Sequence, residues 1–101
     1  MTFHEAGDLC RIAAGAGLLT MIRIPDARRE SVLKAAELGP DILDLPMANS
    51  VEIATEFVRL ARFPPEDNRG FFGVSRAVHY GVSGSIREEQ CRVNRELCLM
   101  A

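Results

Sequence analysis

The residue best placed to do chemistry is Arg23, in the stretch "LLTMIRIPD" from Leu18 to Asp26. Leu18, Leu19, Met21, Ile22 and Ile24 are what a strand covered on both faces requires. Arg23 is the exception. A buried guanidinium without a partner is costly, so Arg23 must reach an anion, a carboxylate or water. Its planar fork of donors suits a carboxylate or an enolate oxygen, and a lysine would not replace it well. The plainer reading is a structural arginine paired with a carboxylate such as Asp44. From these residues alone the two readings stand level.

The other reactive side chains do not assemble into a motif. His4 and His79 are far apart and neither has a metal-ligand spacing. Cys10, Cys91 and Cys98 leave one thiol over in any disulfide scheme and form no C-x-x-C pair, so reduced, buried thiols are expected. Lys34 is the one lysine and lies between Glu30 and Glu37, which favour its ammonium form. A Schiff-base mechanism needs a lysine that sheds its proton in a dry pocket, so it is not expected here. Asp41, Asp44 and Glu52 are available carboxylates without a metal-site pattern. Arg28 and Arg29 fall at a helix start, where they oppose the helix dipole and are expected to be solvated.

The chain has 101 residues, enough for one small domain, with 48% apolar residues and a net charge of −2. Acids and bases are mixed, with no basic run or face, so nothing favours nucleic acid. No apolar run approaches the ~18 residues of a membrane span, so no membrane partner is expected. The start "MTFHEAGD" is polar and acidic, unlike a signal peptide, and a cytoplasmic protein is the expectation.

These residues need elements to position them. "FHEAGDLCRIAAGAG" reads as a helix with Leu9, Ile12, Ala13 and Ala16 inward, stopped by Gly15 and Gly17. The strand Leu18–Ile24 follows and Pro25 ends it. Asp26 is placed to cap a helix over "ARRESVLKAAEL" that turns Val32, Leu33, Ala36 and Leu38 inward and ends at Gly39-Pro40. Asp41–Leu45 is a second short strand, closed by Pro46. "NSVEIATEFVRLAR" is the clearest helix, with Ile53, Ala54, Phe57, Val58 and Ala61 in one stripe and Asn49 or Ser50 as cap. A long irregular stretch follows from Phe63, carrying Arg69, Phe71, Phe72, Arg76, His79 and Tyr80. Ser85 with Glu88 then opens a helix over "IREEQCRVNRE", and "LCLMA" has the texture of the first half of a buried strand. Strands alternating with helices predict the α/β class with a parallel sheet.

Three segments, "IRIP", "LPMANS" and "RFPPEDNRG", resemble the pattern of the HpcH/HpaI aldolase family: V-R-x-P at a strand end, a P-M-V/A strand exit and R-Y/F-P-P-x-G-x-R-G. The third is specific, although Asp67 stands where glycine is usual. Asp44 stands where the family is generally apolar. The resemblance covers nearly the whole chain and implies a partial HpcH/HpaI aldolase-like domain over residues 1–101. A (β/α)8 barrel takes ~250 residues. The chain would thus be an interior segment, roughly from helix 2 to the start of strand 5.

The resemblance further implies a metal-dependent lyase acting on 4-hydroxy-2-oxo acids to give pyruvate and an aldehyde. Arg23 matches the family arginine that contacts the pyruvate part and steadies the enolate, so it is the expected catalytic and substrate-binding residue. The divalent metal (Mg, Mn or Co) and the histidine base of the family match nothing in this chain. No metal ligand is therefore carried over, and His4 is read as a surface residue at a helix start. The segment alone is expected to bind no metal tightly, to be inactive, and to associate through unpaired strand edges. The full-length protein is expected to be a homo-oligomer. Arg69, Arg76, His79 and Tyr80 fall near the substrate mouth or a subunit contact, or on a merely solvated loop. The competing expectations are a citrate-type condensing enzyme on the same scaffold and a catalytically silent fragment acting in assembly.

Overall fold

A computed structural model describes residues 2–64, 69, 77 and 85–101. The elements are α1 (Phe3–Gly15), β1 (Met21–Arg23), α2 (Arg29–Glu37), β2 (Ile42–Asp44), α3 (Val51–Ala61), α4 (Ile86–Glu96) and β3 (Cys98–Met100). The three strands form one parallel sheet in the order β1-β2-β3. The predicted α/β class is what the chain adopts, and "LCLMA" does supply a strand.

The strands are shorter than predicted, because local bonds at their starts divert the backbone. Leu18 donates its amide to Ala13 O at 2.9 Å, closing the end of α1 around Gly17 at φ +75°. Thr20 donates its amide to the Asp41 carboxylate at 2.7 Å. Sheet-type bonds do run past the strand ends, with Ile24 N donating to Asp44 O at 2.9 Å and Leu45 N to Met100 O at 2.8 Å.

One face of the sheet carries the row Ile22, Leu43, Leu99, and the core lies there. Val32, Ala35 and Ala36 of α2, Phe57, Leu60 and Ala61 of α3, and Val93 of α4 close over Leu43, joined by Ile24, Leu45, Phe63 and Leu97. Residues alternate across a strand, so Met21, Ile42, Cys98 and, one step on, Arg23, Asp44, Met100 share the opposite face. On that face Met21 and Met100 are exposed. Among the described residues β1 is therefore covered on one face, not on two as its sequence predicts. Leu19, 80% exposed, and Leu18 lie outside the core altogether.

The helix stripes also differ from their prediction. Gly7 and Cys10 are the buried residues of α1, and a Cβ at Gly7 would come within 3.2 Å of Leu38 Cδ2. That close contact with the end of α2 rotates Leu9 and Ile12 outward, Ile12 being 68% exposed. In α3 the buried line is Phe57, Leu60, Ala61, and Ile53 and Val58 stand at its exposed margin. Asp26 does not cap α2; Arg28 occupies that position, and Asp26 accepts from Arg28 N at 3.0 Å in the turn before it. The Ser50 and Ser85 caps form as predicted, accepting from Ile53 N and Glu88 N. All three thiols are free, and Cys10 is buried as predicted, whereas Cys91 and Cys98 are exposed, contrary to the prediction that they are buried. Among the described residues no helix is long and apolar enough to cross a membrane.

Candidate functional site

The sequence "R-I-P" ends β1 and "D-L-P" ends β2, each a charged residue two before a proline. Aligning the prolines sets the register that the sheet adopts: Arg23 lies opposite Asp44. The two side chains meet on the uncovered face, at the C-terminal edge of the sheet. Arg23 Nε donates to Asp44 Oδ2 at 2.9 Å. The pair is lopsided. The Asp44 side chain is only 7% exposed, whereas that of Arg23 is 69% exposed. On its other side Asp44 lies opposite Met100, an apolar neighbour.

The pairing with Asp44, one of the two alternatives for Arg23, therefore exists. It uses the Nε edge and leaves Nη1 and Nη2 without a hydrogen bond among the described residues. Asp44 is the functional candidate that sequence reasoning undervalued; the shared charge-apolar-proline ending was the signal that could have found it. Past β2, Met47 is exposed with φ 59°, a left-handed conformation uncommon outside glycine, and turns the chain from Pro46 toward the Ser50 cap of α3.

The opposite edge of the sheet holds Arg69. Its amide donates to Arg62 O at 2.7 Å. Arg62 Nη1 in turn donates to the carbonyls of Asn94 and Leu97, at the start of β3. Asn94 brackets Phe63 with two bonds of 2.8 and 3.1 Å. The Arg69 guanidinium stacks on the Phe63 ring, 4.1 Å from its centroid. Arg69 is 3% exposed, and none of its three guanidinium nitrogens has a hydrogen bond among the described residues. Burial pulls its pKa down to about 10, with Glu37 opposing and Arg62 adding to the fall. Burial likewise pushes Glu37 above the usual carboxylate range, against the pull of Arg69. Arg69 thus lies at the edge opposite Arg23, and its burial departs from the alternative of a merely solvated loop. Arg76, His79, Tyr80, Phe71, Phe72 and the centre of "RFPPEDNRG" lie outside the described residues.

His4 is an exposed residue at the start of α1, 3.6 Å from Asp8. Lys34 is exposed, its ammonium 5.8 Å from the centre of the Phe3 ring. Among the described residues no three carboxylate, imidazole or thiol groups converge as a metal cage. The buried carboxylate of this edge is engaged by Arg23, and its other neighbour is the thioether of Met100. That donor set does not fit a hard divalent cation, which prefers several oxygens.

No family model matches the chain. It is 32% identical over 81 residues to a 2-keto-3-deoxy-L-rhamnonate aldolase of Klebsiella pneumoniae, covering 79% of this chain and 29% of that protein. It is 36% identical over 62 residues to a hydroxypyruvate/pyruvate aldolase of Roseobacter denitrificans, covering 60% of this chain and 24% of that protein. Its structure superposes on an HpcH/HpaI aldolase from Desulfitobacterium hafniense with a TM-score of 0.88 and 31% identity, over 100% of this chain and 38% of that one. An HpcH/HpaI aldolase/citrate lyase family protein from Burkholderia cenocepacia gives 0.85 and 26%, over 97% and 39%. In fold and in sequence alike, the chain resembles members of the HpcH/HpaI aldolase family, as a stretch spanning well under half the length of the relatives it matches.

Proposed function

We propose that this chain carries the anion-binding edge of a lyase that splits 4-hydroxy-2-oxo acids into pyruvate and an aldehyde. We place it in a (β/α)8 barrel, from about helix 2 to the start of strand 5. The observation that carries the reading is the exposed guanidinium of Arg23 at the C-terminal edge of a parallel sheet, the edge where barrel enzymes bind substrate. In the cleavage, the bond between C3 and C4 breaks, the C4 hydroxyl loses its proton to a base, and the bonding pair becomes the enolate of pyruvate. Arg23 donates to the carboxylate and to the developing enolate oxygen, where fixed donors act most strongly. The base is assigned to no residue of this chain. No step is routed through a metal, since the residues at this edge do not fit one. The names of the Klebsiella and Roseobacter relatives support a 2-oxo acid substrate. The description of the Burkholderia relative supports a citrate-type reaction on the same scaffold as the second reading.

Pyruvate release from 4-hydroxy-2-oxo acids, followed through lactate dehydrogenase and NADH, tests this in the longest protein that carries the chain. Arg23→Ala should lower kcat/KM by roughly 10²-fold, the scale of losing a fixed enolate donor. An unchanged rate would remove Arg23 from the mechanism, and release from citrate-type substrates alone would favour the second reading. Assembly of the full-length protein as a homo-oligomer belongs to the same proposal; the segment by itself is expected to associate, because among the described residues β1 and β3 each pair on one side only. Light scattering showing a clean monomer would overturn that part.

A further inference from the structure

We infer that Asp44 is the positioning residue of Arg23: its buried carboxylate holds the Nε edge of the guanidinium and so aims the Nη1–Nη2 edge at a ligand carboxylate or enolate. This rests on the reading of Arg23 as the anion-binding group, and adds what orients it.

The sheet places the two side chains directly opposite each other, so their approach is fixed by the backbone register and not by a chance meeting of flexible chains. Asp44 Oδ2 accepts from Arg23 Nε at 2.9 Å. A buried carboxylate requires such a donor, and its neighbour in the other direction, Met100, supplies no charge. Arg23 is the opposite case: mostly exposed, with four side-chain torsions that nothing else among the described residues restrains. Anchoring Nε fixes the plane of the guanidinium and leaves its far edge, with two parallel N–H bonds, facing outward. That edge matches a carboxylate in bidentate fashion. A lysine at position 23 would keep the attraction to Asp44 but has no second edge to offer. An arginine without Asp44 would keep the edge but not its direction.

The test is nitrogen-15 NMR of the arginine Nε–H groups, joined to titration with oxalate, a planar mimic of the pyruvate enolate. In the longest protein that carries the chain, the Nε–H signal that vanishes in Arg23→Ala, and is thereby assigned to Arg23, should exchange slowly with water. Asp44→Asn keeps an acceptor oxygen, so the signal should persist and oxalate affinity should stay within about 3-fold. Asp44→Ala should return the signal to fast exchange and weaken oxalate ~10-fold, as expected for one charge-assisted bond. Two results overturn the role of Asp44: a slow signal that survives Asp44→Ala, or oxalate affinity unchanged by Asp44→Ala but lost in Arg23→Ala. Loss of the signal in Asp44→Asn overturns it too, even if Asp44→Ala does not fold. Oxalate binding that survives Arg23→Ala overturns instead the assignment of Arg23 on which this rests.

Discussion

The two edges of the sheet each bring an arginine near a carboxylate, and they do so in opposite ways. At the C-terminal edge the carboxylate of Asp44 is buried and the guanidinium of Arg23 is exposed, with a bond of 2.9 Å between them. At the N-terminal edge the guanidinium of Arg69 is buried without a hydrogen bond among the described residues, and Glu37, half-buried, acts on it through its charge. The first arrangement spends little on desolvating the cation and leaves donors free for a ligand. The second strips water from the cation and returns only a ring contact with Phe63 and a distant charge. An arginine keeps donors accessible when its partner, and not the arginine itself, is the buried member.

The largest expected effect that would break this contrast is at Arg23. Arg23→Lys should cost roughly 10²-fold in kcat/KM of the proposed cleavage with little change in stability, since an exposed side chain is altered. A fall in stability with no kinetic change would make the C-terminal pair structural too. The next effect is at the other edge. Replacing a buried, poorly compensated ion by an apolar residue of similar volume is often stabilising, so Arg69→Met should raise the unfolding free energy by about 1–3 kcal/mol in urea at pH 7. The sign in pH follows from the lowered pKa. From about pH 10 up to the ordinary arginine range the folded chain holds fewer protons than the unfolded one, so stability should rise with pH there. That rise should be absent in Arg69→Met.

A smaller effect is the loss of the cap on α3, next to the Arg23 edge. Ser50→Ala should cost ~1 kcal/mol of stability. Glu37→Gln should do least. Burial raises its folded pKa, so its contribution falls away as pH rises from about 4.5 through the folded value. The glutamine variant should therefore be slightly the more stable at neutral pH, by less than about 1 kcal/mol given its partial exposure. It should also be flatter in pH between 4.5 and 7. A marked loss of stability would mean that Glu37 compensates Arg69 far better than its position indicates.

Much of the fold was legible. Helix stops at Gly17 and Gly39, caps at Ser50 and Ser85, and the prolines after β1 and β2 are local signals, and the structure realises them. The inward faces were less so. Leu9 and Ile12 lie on an apolar stripe, yet α1 packs through Gly7 and Cys10, because Gly7 lets the helix come so close to Leu38 that an added Cβ would need the leucine side chain to shift. At the candidate site Arg23 was legible as an anomaly in an apolar strand. Its partner was visible as one of several carboxylates, since nothing local says which strand lies alongside.

The sequence by itself determined the order of helices and strands, the parallel class of the sheet and the family pattern, because periodicity, caps and proline stops act over a few residues. Tertiary structure alone decided which arginine keeps its donors free. Two residues 21 apart become neighbours only once the register of β1 on β2 is set. The burial that makes Asp44 the anchor and Arg69 the strained cation comes from packing contributed by distant elements.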